Sequence, residues 1–314
     1  MRIAIPKASL WPVSLRSWLR RNPVMLKELR ARMRGKRAFW LLTIYLGLLS
    51  VLVSIIYIAY LSASGQPFAS ADQRQVVGKA IFGAVVWLEL LVVSFVAPAL
   101  TAGGISSERE HQTYDLLRTT LLPARSLVLG KFLSGLVFIL LLLFAALPLH
   151  SLAYLIGGVS SQELWIAALV LVVTASAFCA AGIFFSSLVA RTLVSTVLAY
   201  GVAIMLVFGL PLLALILAGL VSSAVGGFGQ LGPLWEILVI LGGWLLVSIN
   251  PLATAIFTEL ILLEEQSLFL FHLPVSGAAT LTLPSPWLPY VLIYLLLSVI
   301  LLRLSVQRVK RAEK

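Results

Sequence analysis

Charge is scarce in this chain. Only 11% of its 314 residues are charged, against about 25% in an ordinary soluble domain, and acid is scarcer still, with 12 Asp and Glu against 23 Lys and Arg. A soluble globule cannot hide 61% hydrophobic residues and a mean hydropathy of +1.05, so the length must be spent on membrane spans. The single cysteine, Cys179, closes no disulfide within the chain. His150 has no second His or Cys at ligand spacing, so no metal site is expected. A phosphate-binding loop is also missing: Gly130-Lys131 is followed by Phe132, and position 125 is Arg. No catalytic residue is therefore assigned, and ATP hydrolysis by that route needs another chain.

What is present is long apolar runs, at about 39–61, 76–102, 128–156, 164–190, 193–219 and 287–302. Alternating sides after each run puts 21 of the 23 basic residues on one face, leaving only Arg74 and Lys79 on the other. Short cytoplasmic loops collect Lys and Arg, so both termini of this multi-pass protein are expected in the cytoplasm. The +11 net charge thus reads as topology rather than nucleic-acid binding. The first apolar run is too long for a cleavable signal and is expected to stay attached as an anchor. The stretch 234–263 must return to the side it left, or the basic tail from Arg303 would end outside. Its halves meet at Asn250-Pro251, where proline removes a backbone donor. This reads as a re-entrant or outer-leaflet helical element; a hairpin of two tight spans is the other version.

The expected fold is thus an all-α polytopic membrane protein with six transmembrane helices. Residues 1–38 form a cytoplasmic N-terminal segment, 39–302 the transmembrane domain and 303–314 a basic cytoplasmic tail. Two cytoplasmic stretches are amphipathic. Residues 22–38 set Met25, Leu29 and Met33 at i, i+4 and i+8, with Arg30 and Arg34 on the remaining surface. That pattern suits a helix lying in the lipid interface, although a basic segment that only orients the first span also fits. Pro23 suits a first helical turn, with Asn22 as cap. In the 103–131 loop, Ser107 and Glu110 form a capping-box pattern for a helix beginning near Glu108. Tyr114, Leu117 and Leu121 follow on one side, flanked by Arg109, Asp115 and Arg118. Such a stripe fits a docking surface for a protein partner, or a helix lying flat on the leaflet.

In these residues the chain resembles the permeases of the ABC type-2 superfamily. The pattern reads Pro98, Glu108-Arg109-Glu110, Thr113, Leu116-Leu117, Thr119-Thr120 and Gly130-Lys131, and it extends to Asn22-Pro23, Glu28 and Asn250-Pro251. Two departures stand out: Leu121 follows Thr-Thr where proline is frequent, and His111-Gln112 occupies positions where glycine is common. The resemblance implies that 106–120 is a coupling helix entering a cleft on a separate ABC ATPase subunit, with Glu108, Arg109, Glu110, Thr113, Tyr114, Leu117 and Arg118 as contact residues. It likewise implies that residues 22–38 are an elbow helix, that ATP-Mg binds on the partner rather than on this chain, and that two permease protomers, identical or not, assemble in the lipid bilayer. Export or flipping of a substrate would follow.

Glu89 falls near the middle of the second span, where an ionisable side chain is expensive unless paired or wetted. It is a candidate cavity or gating residue; a glutamate hydrogen-bonded to a neighbouring helix is the plainer alternative. Span 4 is rich in small residues around Cys179, which predicts close packing at the centre of the bundle. Trp235, Trp244 and Trp287 are expected near the outer aromatic belt, and Glu259, Glu264 and Glu265 make the outer face locally acidic. An intramembrane hydrolase is disfavoured: Glu264-Glu265 lacks the arginine and histidine spacing of the paired-glutamate proteases. A membrane anchor for a non-transporting ATPase complex shares every docking feature and is the alternative function.

Overall fold

A computed structural model describes residues 23–34, 36–64, 71–112, 123–225, 233–264, 267–275 and 279–311. In chain order the elements are α1 (Pro23–Met33), α2 (Lys36–Ser64), α3 (Ala71–Thr101), α4 (Ser106–Glu110), α5 (Ala124–Ile156), α6 (Ser161–Leu188) and α7 (Thr192–Ile204). A π-helical turn (Met205–Gly209) leads into α8 (Leu210–Val225). There follow α9 (Pro233–Ile249), α10 (Pro251–Glu264), strands β1 (Leu270–Val275) and β2 (Ala279–Pro284), and α11 (Trp287–Arg311). Among the described residues six helical stretches are long and apolar enough to cross a bilayer: Ala38–Ser62, Gln73–Glu110, Ala124–Ile156, Ser161–Leu188, Thr192–Leu220 and Trp287–Arg311. The protein is an all-α polytopic membrane protein, with one small strand pair that the hydropathy pattern does not foresee.

α6 is the most enclosed span and lies against α3, α5 and α11. Its small residues are what allow this. A Cβ on Gly182 would fall 2.0 Å from Thr101 Oγ1, and one on Gly135 of α5 would fall 2.7 Å from Thr101 Cγ2. Thr101 therefore sits in a notch made by two glycines, and three backbones approach closely there. Polar side chains join α6 to α11: Thr174 Oγ1 and Tyr290 Oη are 2.7 Å apart, and Ser176 Oγ and Ser298 Oγ 3.2 Å. Tyr290 also stacks on Tyr294 at 4.1 Å between ring centres.

α9 and α10 meet at Asn250-Pro251 with a bend of 114°. The break is held from several sides. Asn250 Nδ2 donates to Leu206 O (2.5 Å) and Val207 O (3.0 Å) in the π-helical turn, and Asn250 Oδ1 accepts from Ala253 N (2.7 Å) at the start of α10. Tyr294 Oη donates to Ile249 O at 2.7 Å, and Thr254 Oγ1 donates to Val247 O at 2.8 Å. Backbone groups released in two interrupted helices are thereby satisfied within the protein, as the apolar surroundings demand. At the far side of the break, Glu259 packs against Gly83 of α3. β1 and β2 then pair antiparallel, Phe271 opposite Leu283, and Trp244 and Trp287 donate to Pro284 O and Leu268 O at 2.9 Å each.

Candidate functional site

At one end of the bundle three segments distant in sequence converge on a lysine. Lys131, in the second turn of α5, is 2% exposed. Its ammonium donates to Glu108 Oε1 at 2.6 Å and to Glu28 Oε1 at 3.0 Å. Three residues that carried the resemblance are thus brought into one ion cluster, which joins α1, α4 and α5. Neighbouring contacts fix the same region. Arg32 Nη2 donates to Leu100 O at 2.6 Å. Burial pulls the Arg32 guanidinium below its ordinary value while Glu28 pushes the other way, and an arginine stays charged regardless.

α1 therefore docks through Val24, Glu28 and Arg32 rather than through a purely apolar stripe. Met25 and Leu29 are half-buried, while Met33, Arg30 and Arg34 lie exposed. The 3.6-residue period hides this arrangement, because the bundle-facing edge of the helix is itself partly charged.

The segment after α3 departs from the sequence expectation. No capping box forms at Ser107 and Glu110: Ser107 Oγ donates back to Gly103 O at 2.5 Å, and helix α4 begins at Ser106. Its leading N–H groups are satisfied from another helix, with Ser186 Oγ accepting from Ile105 N (2.8 Å) and Ser106 N (2.9 Å). Glu110 instead accepts from Thr192 N at 3.3 Å, at the start of α7, and Arg109 Nη1 donates to Ser187 O at 3.3 Å. Gln112 ends the turn with φ 55°, a left-handed conformation that glycine adopts more freely than glutamine. Thr113, Tyr114, Leu117 and Arg118, like Asn22 and Glu265, lie outside the described residues. A capping box does form at Ser160 and Glu163, where both reciprocal bonds measure 3.2 Å at the start of α6. The pattern Ser160-Ser161-Gln162-Glu163 before an apolar run carries that signal in the sequence.

The second polar cluster is inside the bundle. Glu89 is 1% exposed; it accepts from Tyr45 Oη at 3.1 Å, and its other oxygen lies 3.0 Å from His150 Nε2. His150 Nδ1 is buried without a hydrogen-bond partner. Glu89 and His150 line the wall of an apolar groove of about 690 Å³ between α3, α5 and α6, whose mouth is flanked by exposed Phe144, Leu155 and Trp165. The glutamate is thus both hydrogen-bonded to neighbouring helices and adjacent to a cavity. Among the described residues no group of three or more His, Cys, Asp or Glu is placed to hold a metal ion.

Comparison with known proteins adds one finding. The family model described as ABC-2 family transporter protein matches residues 23–227, a stretch holding Glu28, Glu89, Glu108, Lys131 and His150. No curated protein matches the chain.

Proposed function

Because the chain belongs to the ABC-2 family of transporter proteins and is the permease component of an ABC transporter, we propose that it exports or flips a substrate when driven by a separate ATPase subunit docked on residues 106–120. The observation that carries this reading is the Lys131 cluster, which ties the foot of that segment to α1 and α5 through 2.6 and 3.0 Å ion pairs. A push on residues 106–120 is then transmitted to the bundle instead of being absorbed by a loose loop. Such a subunit needs a surface through which hydrolysis elsewhere biases two conformations. Under this reading both termini face the cytoplasm of a bacterial or archaeal plasma membrane, two protomers assemble, and ATP-Mg resides on the ATPase. Glu89 is the residue proposed to respond to cargo or to gate.

The test is to isolate the tagged chain from its own membranes. An ABC-type ATPase subunit, identified by mass spectrometry and active in hydrolysis, is expected to accompany it, and the charge reversals Arg109→Glu with Arg118→Glu are expected to cut that association severalfold. Glu89→Gln should change turnover in the isolated complex while leaving assembly intact. An isolate with no ATPase refutes the docking assignment, and a complex that assembles but moves nothing across a vesicle membrane favours the anchor alternative.

A further inference from the structure

A separate small pocket, apolar over most of its lining but carrying two carboxylates, opens at the other end of the bundle, where α3, α6 and α10 meet. Its walls include Glu163, Glu259, Thr258, Trp87 and Gly83. Glu163 is engaged already, in the capping box and with Lys79 Nζ at 3.9 Å. Glu259 is not: among the described residues its carboxylate makes no hydrogen bond or ion pair. It is held against Gly83, where a Cβ would fall 2.7 Å from Oε2. Beside it, Thr258 is only 5% exposed, and its Oγ1 is buried without a partner. Two carboxylates and one lysine leave a formal excess of one negative charge, next to an unused hydroxyl and a Trp87 side chain that is 41% exposed.

One ligand chemistry answers all of these vacancies together. An ammonium supplies charge to Glu259, an N–H to Thr258 Oγ1 and a cation to the indole face. The pocket measures about 50 Å³. At roughly 10–15 Å³ for each water-sized group, that admits an ammonium and its first methylenes but no larger head. The rest of such a molecule must lie outside, along Trp87 and the exposed Ile256 at the pocket wall. We propose that this pocket binds a protonated amine carried on an apolar body. That the amine is cargo rests on the permease reading above; its binding does not.

Full-length chain in lipid nanodiscs, titrated calorimetrically with n-octylamine at neutral pH against empty discs, tests the proposal. Saturable binding is expected for the amine and none for n-octanol. Octyltrimethylammonium, which has no N–H, should bind more weakly than the amine. Glu259→Gln should weaken amine binding at least tenfold and Thr258→Val severalfold. Gly83→Ala, which displaces the carboxylate from outside α10, should also weaken it and serves if the Glu259 variant does not fold. The proposal is overturned if no saturable binding exceeds that of empty discs, if octanol or the quaternary salt matches the amine, or if binding is unchanged in both Glu259→Gln and Gly83→Ala. ATPase association measured on the same preparations keeps the two readings apart, since amine binding without an ATPase sinks only the permease mechanism.

Discussion

Replacing Lys131 by methionine keeps the length and packing of the side chain and removes only the ammonium. Glu28 and Glu108, whose side chains are 25% and 17% exposed, are then left facing each other around an apolar sulfur. Breaking a buried ion pair by deleting one partner costs about 3–5 kcal/mol. Both carboxylates retain some contact with water, so the lower end, about 3 kcal/mol, is expected here. Most of that loss is uncompensated charge rather than lost attraction. Adding Glu28→Gln to Lys131→Met should therefore recover more than about 1 kcal/mol, and neutralising Glu108 as well should return stability close to that of the parent. The measurement is equilibrium unfolding of the full chain in detergent, followed by tryptophan fluorescence, across the parent and the three variants. If Lys131→Met unfolds within about 0.5 kcal/mol of the parent, or if Glu28→Gln deepens the loss, the lysine is not the hub inferred from its geometry.

Two further outcomes follow from other parts of the bundle. Asn250→Ala strips partners from Leu206 O, Val207 O and Ala253 N, bonds of 2.5, 3.0 and 2.7 Å. At about 1 kcal/mol for each, the same unfolding assay should show a loss of about 3 kcal/mol, and no change would mean that the break is held by other contacts. For sidedness, cysteines at the exposed positions Phe269 and Gln307 can be read against a quiet background, because Cys179 is buried. A membrane-impermeant maleimide on intact cells should label position 269 and reach 307 only after permeabilisation; the reverse pattern contradicts cytoplasmic termini.

The spans were legible because twenty consecutive apolar residues leave few alternatives, and the bend at Asn250-Pro251 because proline removes a donor. The β-hairpin is not legible from hydropathy, although the run Ala279-Thr280-Leu281-Thr282-Leu283 alternates with period two. Its short length beside apolar helices masks the signal. The site was legible in its residue types but not in its connections. Glu28, Glu108 and Lys131 each stood out, yet nothing in their spacing says that one ammonium serves two carboxylates from different helices. The Tyr45–Glu89–His150 contact was hidden for the same reason: each partner is a lone polar residue on a different span. At Ser107 the local rule fails because the helix starts one residue earlier: Ser107 is already inside it, and both its N–H and its hydroxyl bond back to Gly103 O.

The ladder of hydroxyls between α6 and α11 sets a limit on what kinship can tell about autonomy. Residues 23–227 suffice to place the chain among its relatives, but they stop well short of α11. Cut there, the protein would present Thr174 and Ser176 to hydrocarbon with no tyrosine or serine to meet them, and the Leu206 and Val207 carbonyls would lose the Asn250 amide that covers them. The portion that is recognisable by descent is thus not one that could stand alone. Helix α11 is a keystone, and the spans before it must wait for it before their most enclosed member is sealed.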